Sequence, residues 1–280
     1  MRIALAILLS LAMLAAPARA AQKWMTLPPM PTLPKADVSG TAPVNGIRIW
    51  YASFGQGEPV LFVHGGLANS NCWGYQVRAL TAAHYRVIVM DSRGHGRSTR
   101  NAQPFGYDLM ASDVVGLLDY LHLKKIALVG WSDGAIIGLD IAMHHPDRLT
   151  KLFAFAANYD PSGVSDISHS PVAQEYIARA GRDYAALSPT PKEYKSFLAQ
   201  ITQMWNTQPH WTKADFARIT TPTWIADSDH DEMVNHDQPR TMADWTPGAG
   251  LLIVPDTSHF GFLQDPERFN RALLDFLKSR

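Results

Sequence analysis

Short runs of apolar residues recur along the chain, and longer stretches with a helical period separate them. Continuous runs of four or five apolar residues are typical of strands buried on both faces of a sheet. The alternating segment 47–51 predicts one more strand, at an edge of that sheet. The continuous runs occupy residues 59–63, 87–90, 126–129, 152–155, 223–226 and 251–254.

Helical patterns lie between these strands, near residues 107–121, 134–145, 236–245 and 266–279. Strands that alternate with helices favour a parallel sheet with helices on both faces. We therefore predict an α/β fold with a mostly parallel central sheet, formed by residues 41–280.

One long stretch, about residues 158–212, interrupts the alternation with a helical pattern rich in polar and aromatic residues. An insertion between two core strands of an open α/β sheet lies above the carboxyl ends of the strands, where such sheets bind ligands. We predict a small helical lid there. It is short for a lid over a lipid groove, so we expect short or medium acyl groups or aromatic ones in the substrate.

The start of the chain stands apart from the fold. Arg2 is followed by an apolar run over residues 3–16, and the small residues Ala18 and Ala20 follow. This arrangement predicts a secretory signal peptide over residues 1–20, with an uncleaved membrane anchor as the alternative that the short run disfavours.

The four prolines of residues 21–40 predict an extended tether between the signal peptide and the domain. No later segment is apolar over enough residues to span a bilayer. We therefore expect a secreted or periplasmic protein without stable membrane insertion after cleavage.

The composition is that of an ordinary globular protein, since 46% of the residues are hydrophobic and 18% are charged. The 25 basic and 25 acidic residues balance, and no basic cluster occurs, so we do not expect a nucleic-acid partner. The single cysteine, Cys72, is interpreted as a buried and unreactive thiol. No His, Cys or Asp cluster has the spacing of metal ligands, so we predict neither a metal nor a cofactor.

The strongest chemical signal is Gly130-Trp131-Ser132-Asp133-Gly134, between a buried strand and a helical stretch. A serine between two glycines at a strand-to-helix turn is the nucleophile elbow, which presents the hydroxyl at the top of the sheet. The Gly-x-Ser-x-Gly spacing alone is weak, because about one chain in ten of this length has it by chance. The flanking elements therefore carry the prediction that Ser132 is a nucleophile.

A serine hydroxyl needs a general base, and eleven histidines compete for that role. His259 follows the strand at 251–254, so it should lie at the carboxyl edge of the sheet, beside Ser132. The order nucleophile, acid, histidine also matches this architecture. We predict His259 as the base and interpret His144 and His145 as structural.

The third member of a triad is a carboxylate that fixes the tautomer of the imidazole. The loop after the strand at 223–226 offers Asp227, Asp229 and Asp231. We favour Asp231, because the chain needs a few residues to turn over the edge of the sheet. Asp229 and Asp160, which follows the preceding strand, remain alternatives.

An oxyanion needs fixed N–H donors. We predict the backbone N–H of Asp133 as one donor. The loop His64-Gly65-Gly66-Leu67 should supply the other, with Gly66 favoured, Leu67 as the alternative and His64 in a structural role.

Three side chains, Leu67, Trp131 and Trp205, are predicted to contact the substrate. The carboxylate of Asp133 either faces the pocket, where it would favour a cationic group, or is tied to a neighbouring loop. The turn over residues 91–98 contains Arg93 and Arg97. We interpret both as structural, paired with neighbouring charges, and a substrate contact is the alternative.

Together these motifs resemble the α/β-hydrolase superfamily over about residues 44–279, and the elbow is similar to that of valacyclovirase-like small-ester hydrolases. The resemblance implies a triad of Ser132, Asp231 and His259. One departure is Ser228, where many relatives have glycine. Members with an aspartate nucleophile, such as epoxide hydrolases, are disfavoured because serine is at the centre of the elbow. The segments that match are residues 44–48, 64–66, 91–98, 130–134, 229–231 and 258–260.

We therefore expect a secreted serine hydrolase that cleaves small carboxylic esters through an acyl-enzyme intermediate. A perhydrolase, a lactonase and a carbon–carbon bond hydrolase use the same triad, so these alternatives stay open. A non-catalytic ligand-binding protein with this fold is a second alternative, against which the complete set of triad residues argues.

Overall fold

The computed structural model describes residues 22–279, so the predicted signal peptide lies outside the described residues. The strands are β1 (Val38–Val44), β2 (Ile47–Phe54), β3 (Pro59–Val63), β4 (Arg86–Met90), β5 (Ile126–Trp131), β6 (Leu149–Phe155), β7 (Thr223–Ser228) and β8 (Gly250–Val254). The helices are α1 (Gly74–Ala82), α2 (Tyr107–Tyr120), α3 (Asp133–His144), α4 (Pro171–Leu187), α5 (Tyr194–Trp205), α6 (Lys213–Phe216), α7 (Asp237–Trp245), α8 (Gly261–Gln264) and α9 (Pro266–Lys278).

The strands form one eight-stranded sheet in the order β1-β2-β4-β3-β5-β6-β7-β8. β2 pairs antiparallel with β1 and with β4, and every other neighbouring pair is parallel. Helices pack on this sheet, with α1 against α9 and α2 against α3. The predicted α/β fold with a mostly parallel sheet is therefore confirmed.

The burial of the central strands explains why continuous apolar runs predict strands in this chain. All six residues of β5 are buried, because the strand has neighbours on both sides and helices over it. The carboxyl ends of β5, β7 and β8 lie at one edge of the sheet, and the loops that leave this edge carry the predicted site residues.

The segment predicted as a tether, residues 21–40, requires a correction. Its end from Val38 onward belongs to β1, which pairs with β2 along seven residues. Residues 23–25 form a short 3-10 helix, and the residues that follow it lie on the domain, where Leu27, Met30 and Leu33 pack against the core. We call residues 22–37 the N-terminal strap.

The helical stretch predicted at about 158–212 lies between β6 and β7 and contains α4 and α5. Each helix buries one stripe of side chains at three- or four-residue spacing, which is the pattern of a helix with one apolar face. These stripes are Val172, Tyr176, Ala180 and Tyr184 on α4, and Phe197, Ile201 and Met204 on α5. We call α4 and α5 the lid helices. None of the helices within residues 22–279 has the length and apolar character that a bilayer crossing requires.

Candidate active site

The turn between β5 and α3 consists of one residue, Ser132, with φ 54° and ψ −120°. A positive φ is unfavourable for a residue with a side chain, and such strain is common at functional sites. A Cβ atom on Gly130 would lie 2.2 Å from the carbonyl oxygen of Gly134, and one on Gly134 would lie 2.0 Å from that of Val63. Both glycines are therefore sterically required for this turn.

The predicted base and acid are hydrogen-bonded to each other. Nδ1 of His259 lies 2.8 Å from Oδ2 of Asp231, and both side chains are buried. The other oxygen of Asp231 accepts the backbone N–H groups of Met233 at 2.7 Å and Val234 at 2.8 Å. Because Nδ1 faces an acceptor, the proton of the neutral ring lies on Nδ1 and leaves Nε2 free to act as a base. His259 and Ser132 line the same cavity.

The other two candidates for the acid are engaged elsewhere. Oδ2 of Asp160 lies 2.6 Å from Nδ1 of His210, on a partly exposed surface. Asp229 accepts a backbone N–H from the histidine loop at 3.3 Å. Among the three candidates, Asp231 is the one whose carboxylate contacts His259 in the described part of the chain.

Charge and burial act in opposite directions on this pair. Burial is the largest single influence and disfavours a charged imidazole, but the carboxylates of Asp231, Glu232 and Asp133 together outweigh it, so the pKa of His259 is raised above its ordinary value. Burial alone would raise the pKa of Asp231, but His259 beside it holds that pKa below the ordinary value. The site therefore favours the imidazolium–carboxylate pair that forms when a histidine takes a proton from a serine.

Two further carboxyl groups lie next to the pair, and the sequence did not predict their environments. Asp227, on β7, is fully buried; one oxygen accepts the N–H of Ser228 at 2.8 Å, and the other has no hydrogen-bond partner among the described residues. Burial, together with the nearby Asp231, holds the pKa of Asp227 well above its ordinary value and so favours its protonated form. Glu232 accepts the backbone N–H of His259 at 3.1 Å. The acidic run over 227–232 was visible in the sequence, but the different environments of its members were not.

The glycine loop after β3 lies directly against the elbow. A Cβ atom on Gly65 would lie 3.0 Å from Cβ of Ser132. One on Gly66 would lie 2.6 Å from Oδ2 of Asp133 and 2.4 Å from the ring of Trp205. Glycine is what allows the backbone to come this close. The N–H of Asp133 belongs to the first residue of α3 and has no acceptor within the helix.

Asp133 lines the cavity, and its carboxylate is also hydrogen-bonded, to side chains on two helices and not to a neighbouring loop. Oδ1 accepts the hydroxyl of Tyr107 at 2.9 Å, and Nε1 of Trp205 lies 2.9 Å from Oδ2. Burial raises the pKa of Asp133 to about 6. Tyr107 was not predicted as part of the site.

The cavity beside Ser132 has a volume of about 320 Å³. This is at the low end of the range of about 300–1,000 Å³ that is usual for small-molecule sites. Leu67, Trp131 and Trp205, the three predicted contact residues, all line it. The lid helices contribute to its roof Tyr176, Ile177, Leu198 and Thr202.

Two aromatic side chains connect separate segments of the site by hydrogen bonds. The hydroxyl of Tyr176, on α4, donates to the carbonyl oxygen of Gly66 and so joins the lid to the glycine loop. Nε1 of Trp131 donates to the carbonyl oxygen of His259 at 3.0 Å. Trp131 therefore holds the histidine loop as well as lining the cavity.

The residues interpreted as structural have structural partners. His64 accepts the N–H of Ser92 at Nε2, and its Nδ1 faces a backbone carbonyl, so it joins two loops. Arg93 is buried in a two-pronged pair with Asp113, at 2.6 and 2.8 Å. Cys72 is buried, and burial raises its pKa, as expected of an unreactive thiol. Within residues 22–279, no group of three or more His, Cys, Asp or Glu side chains could hold a metal ion.

Comparison with known proteins decides the family. The alpha/beta hydrolase family matches residues 60–272. The chain belongs to this family. Mouse serine hydrolase BPHL is 28% identical, over 89% of this chain and 90% of that protein. Non-heme chloroperoxidase CPO-A1 of Kitasatospora aureofaciens is also 28% identical, over 83% of this chain and 97% of that protein.

Solved structures agree on the fold. A meta-cleavage product hydrolase from Pseudomonas fluorescens superposes with a TM-score of 0.75 at 20% identity, over 85% of this chain and 97% of that one. A bromoperoxidase from Bacillus anthracis gives a TM-score of 0.71 at 25% identity, over 86% of this chain and the whole of that one. The resemblance to the α/β-hydrolase family that the motifs indicate is confirmed. The similar proteins named here have several different activities in their names.

Proposed function

We propose that the protein is an exported serine hydrolase that cleaves small carboxylic esters through an acyl-enzyme intermediate. The observation that carries the proposal is the buried pair of His259 and Asp231, which shares one cavity with Ser132 on a strained turn. The likeness to a serine hydrolase along nearly its whole length supports it. Export rests on the signal-peptide pattern of residues 1–20.

In the first half of the reaction, Oγ of Ser132 attacks the ester carbonyl carbon while Nε2 of His259 takes the hydroxyl proton. Asp231 stabilises the imidazolium that results. The carbonyl oxygen becomes an oxyanion, which accepts the N–H groups of Asp133 and Gly66. The tetrahedral intermediate then collapses: the carbon–oxygen bond to the alcohol breaks, and His259 returns its proton to the departing oxygen.

In the second half, water replaces the alcohol. His259 takes a proton from the water, whose oxygen attacks the acyl carbon, and the bond to Ser132 breaks as the proton passes to Oγ. The enzyme is restored and a carboxylic acid leaves. The same residues therefore act in both halves, which is why removal of either Ser132 or His259 should abolish turnover.

The cavity supports a small substrate. Its volume of about 320 Å³ and its aromatic roof suit short or medium acyl chains and aromatic acyl groups. The Asp133 carboxylate, with a pKa of about 6, is mostly ionised at neutral pH and adds negative charge to the wall. An amino-acyl ester, with a cationic group near the acyl carbon, is the variant of this substrate class that such a wall favours.

The haloperoxidase relatives support a second candidate, a perhydrolase, in which hydrogen peroxide replaces water in the second half-reaction. The product would be a peracid instead of an acid. Turnover of acetate esters with peroxide present, assayed for peracid, separates the two activities.

A series of p-nitrophenyl esters from acetate to palmitate, with an amino-acyl ester alongside, tests the proposal. We expect the highest kcat/KM for the short or medium esters, and a loss of about a thousandfold or more in Ser132→Ala. Highest activity on palmitate, with activation at a lipid interface, would contradict the small pocket. More than about a tenth of wild-type activity in Ser132→Ala would overturn the mechanism.

A further inference from the structure

The N-terminal strap contacts the loop that carries the acid. The ring of Trp24 stacks on His230, with the two ring centroids 3.8 Å apart and the planes 13° from parallel. His230 directly precedes Asp231, and its backbone N–H donates to the carbonyl oxygen of Thr257 at 3.0 Å. One side of this stack is therefore the acid loop, which is itself bonded to the histidine loop.

A second contact joins the strap to the loop that carries the base. Nε2 of Gln264 donates to the carbonyl oxygen of Thr26 at 2.8 Å and to Oγ of Ser258 at 3.0 Å. Oε1 of Gln264 accepts the backbone N–H of Ser258 at 2.7 Å. Because Ser258 directly precedes His259, a single buried amide connects the strap to the neighbour of the base.

Two more contacts hold the strap in place. Nζ of Lys23 lies 2.9 Å from a carboxylate oxygen of Asp265, and this exposed ion pair adds little by itself. The guanidinium of Arg179, on α4, donates to the carbonyl oxygens of Pro28 at 2.6 Å and Leu27 at 3.3 Å. The strap is thus linked to the acid loop, the histidine loop and a lid helix.

We propose that the N-terminal strap fixes the relative position of Asp231 and His259, with Trp24 and Gln264 as positioning residues. This inference rests on the proposed function. Asp231 and His259 both lie on loops, and loops keep a catalytic geometry only through the side chains packed around them. A displacement of about 1 Å in such a site can cost about a hundredfold in rate.

Trp24→Ala tests the proposal, with kcat and KM measured on a short p-nitrophenyl ester well below the melting temperature of each variant. We expect kcat to fall about fivefold or more with KM nearly unchanged, because both half-reactions need His259 and Trp24 does not line the cavity. Trp24→Phe keeps a ring on His230 and should restore most of kcat. Met25→Ala is the matched control, since Met25 is 59% exposed.

Deletion of residues 22–26 should lower kcat at least as much as Trp24→Ala, and the point variant decides if the deletion variant does not fold. The role of the strap would be overturned if kcat fell less than this in Trp24→Ala, or if the loss appeared mainly in KM. It would also be overturned by an equal loss of kcat in Met25→Ala, or by a Trp24→Phe variant that does not restore kcat. Reaction of the wild type with a fluorophosphonate probe reports separately on the proposed function. If the wild type reacts with the probe and Trp24→Ala keeps its kcat, only the proposed role of the strap is wrong. If the wild type does not react with the probe, the proposed serine hydrolase function is wrong.

Discussion

Replacing Asp231 by asparagine changes the charge with almost no change of volume, and the surrounding hydrogen bonds determine where the amide points. The N–H groups of Met233 and Val234 both donate to Oδ1. The amide oxygen of the asparagine must occupy that place, because an NH2 group there would face two donors. The NH2 group then faces Nδ1 of His259, which must accept, so the proton of the neutral ring moves to Nε2.

That tautomer cannot take the proton of Ser132, because the nitrogen that faces the cavity already carries one. The corresponding substitution in a serine protease lowers kcat by about 10⁴. Each factor of ten is about 1.4 kcal/mol, so the loss corresponds to about 5 kcal/mol of transition-state stabilisation. We expect a similar loss here, because the Asp231 side chain is fully buried and its carboxylate is the group in contact with Nδ1 of His259.

The assay is kcat/KM on a short p-nitrophenyl ester at neutral pH, with thermal unfolding as the check that the variant is folded. Asp229→Asn and Asp160→Asn are matched controls, since each removes one carboxylate charge that has no contact with His259. More than about a tenth of wild-type activity in Asp231→Asn would refute the tautomer argument. A larger loss in Asp229→Asn than in Asp231→Asn would refute the choice of acid.

Two titrating groups give the remaining predictions. The plot of kcat/KM against pH should rise through one ionisation with a midpoint above the ordinary histidine value of about 6.5, because Asp231 raises the pKa of His259 and the base must be neutral. A kcat/KM that keeps its neutral-pH value below pH 6 would count against this base. Asp227 holds in the folded state a proton that the unfolded chain releases above about pH 4, so the wild type should lose stability relative to Asp227→Asn as pH rises toward neutral. Melting temperatures measured across that range should show a growing advantage for Asp227→Asn, with kcat/KM within about threefold of wild type. A variant without that advantage would contradict the raised pKa of Asp227.

The elbow and the central strands could be predicted from the sequence because their signals are local. Ser132, its two glycines and the buried run before it are neighbours in the chain, and steric exclusion at the turn restricts which residues fit there. β1 gave a weaker signal, since Gly40 and Pro43 interrupt its alternation and its stability comes from pairing with β2.

The parts that the sequence did not predict depend on contacts between distant segments. Thr26 and Gln264 are 238 residues apart, and no periodic pattern links them. The prolines of the strap therefore indicate only a tether, although its apolar side chains lie on the core. Asp227 and Asp231 are alike in sequence, and they differ because one is buried without a cation and the other faces His259.

Mass spectrometry of the protein after reaction with a fluorophosphonate probe tests directly whether Ser132 is the nucleophile. We predict one probe per wild-type chain, attached within the peptide that contains residues 130–134, at Ser132. We predict no labelling of Ser132→Ala under the same conditions, and slow labelling of His259→Ala, because the hydroxyl then lacks its base. An unlabelled wild type, or a probe that still attaches to Ser132→Ala, would contradict the assignment of Ser132 as the nucleophile.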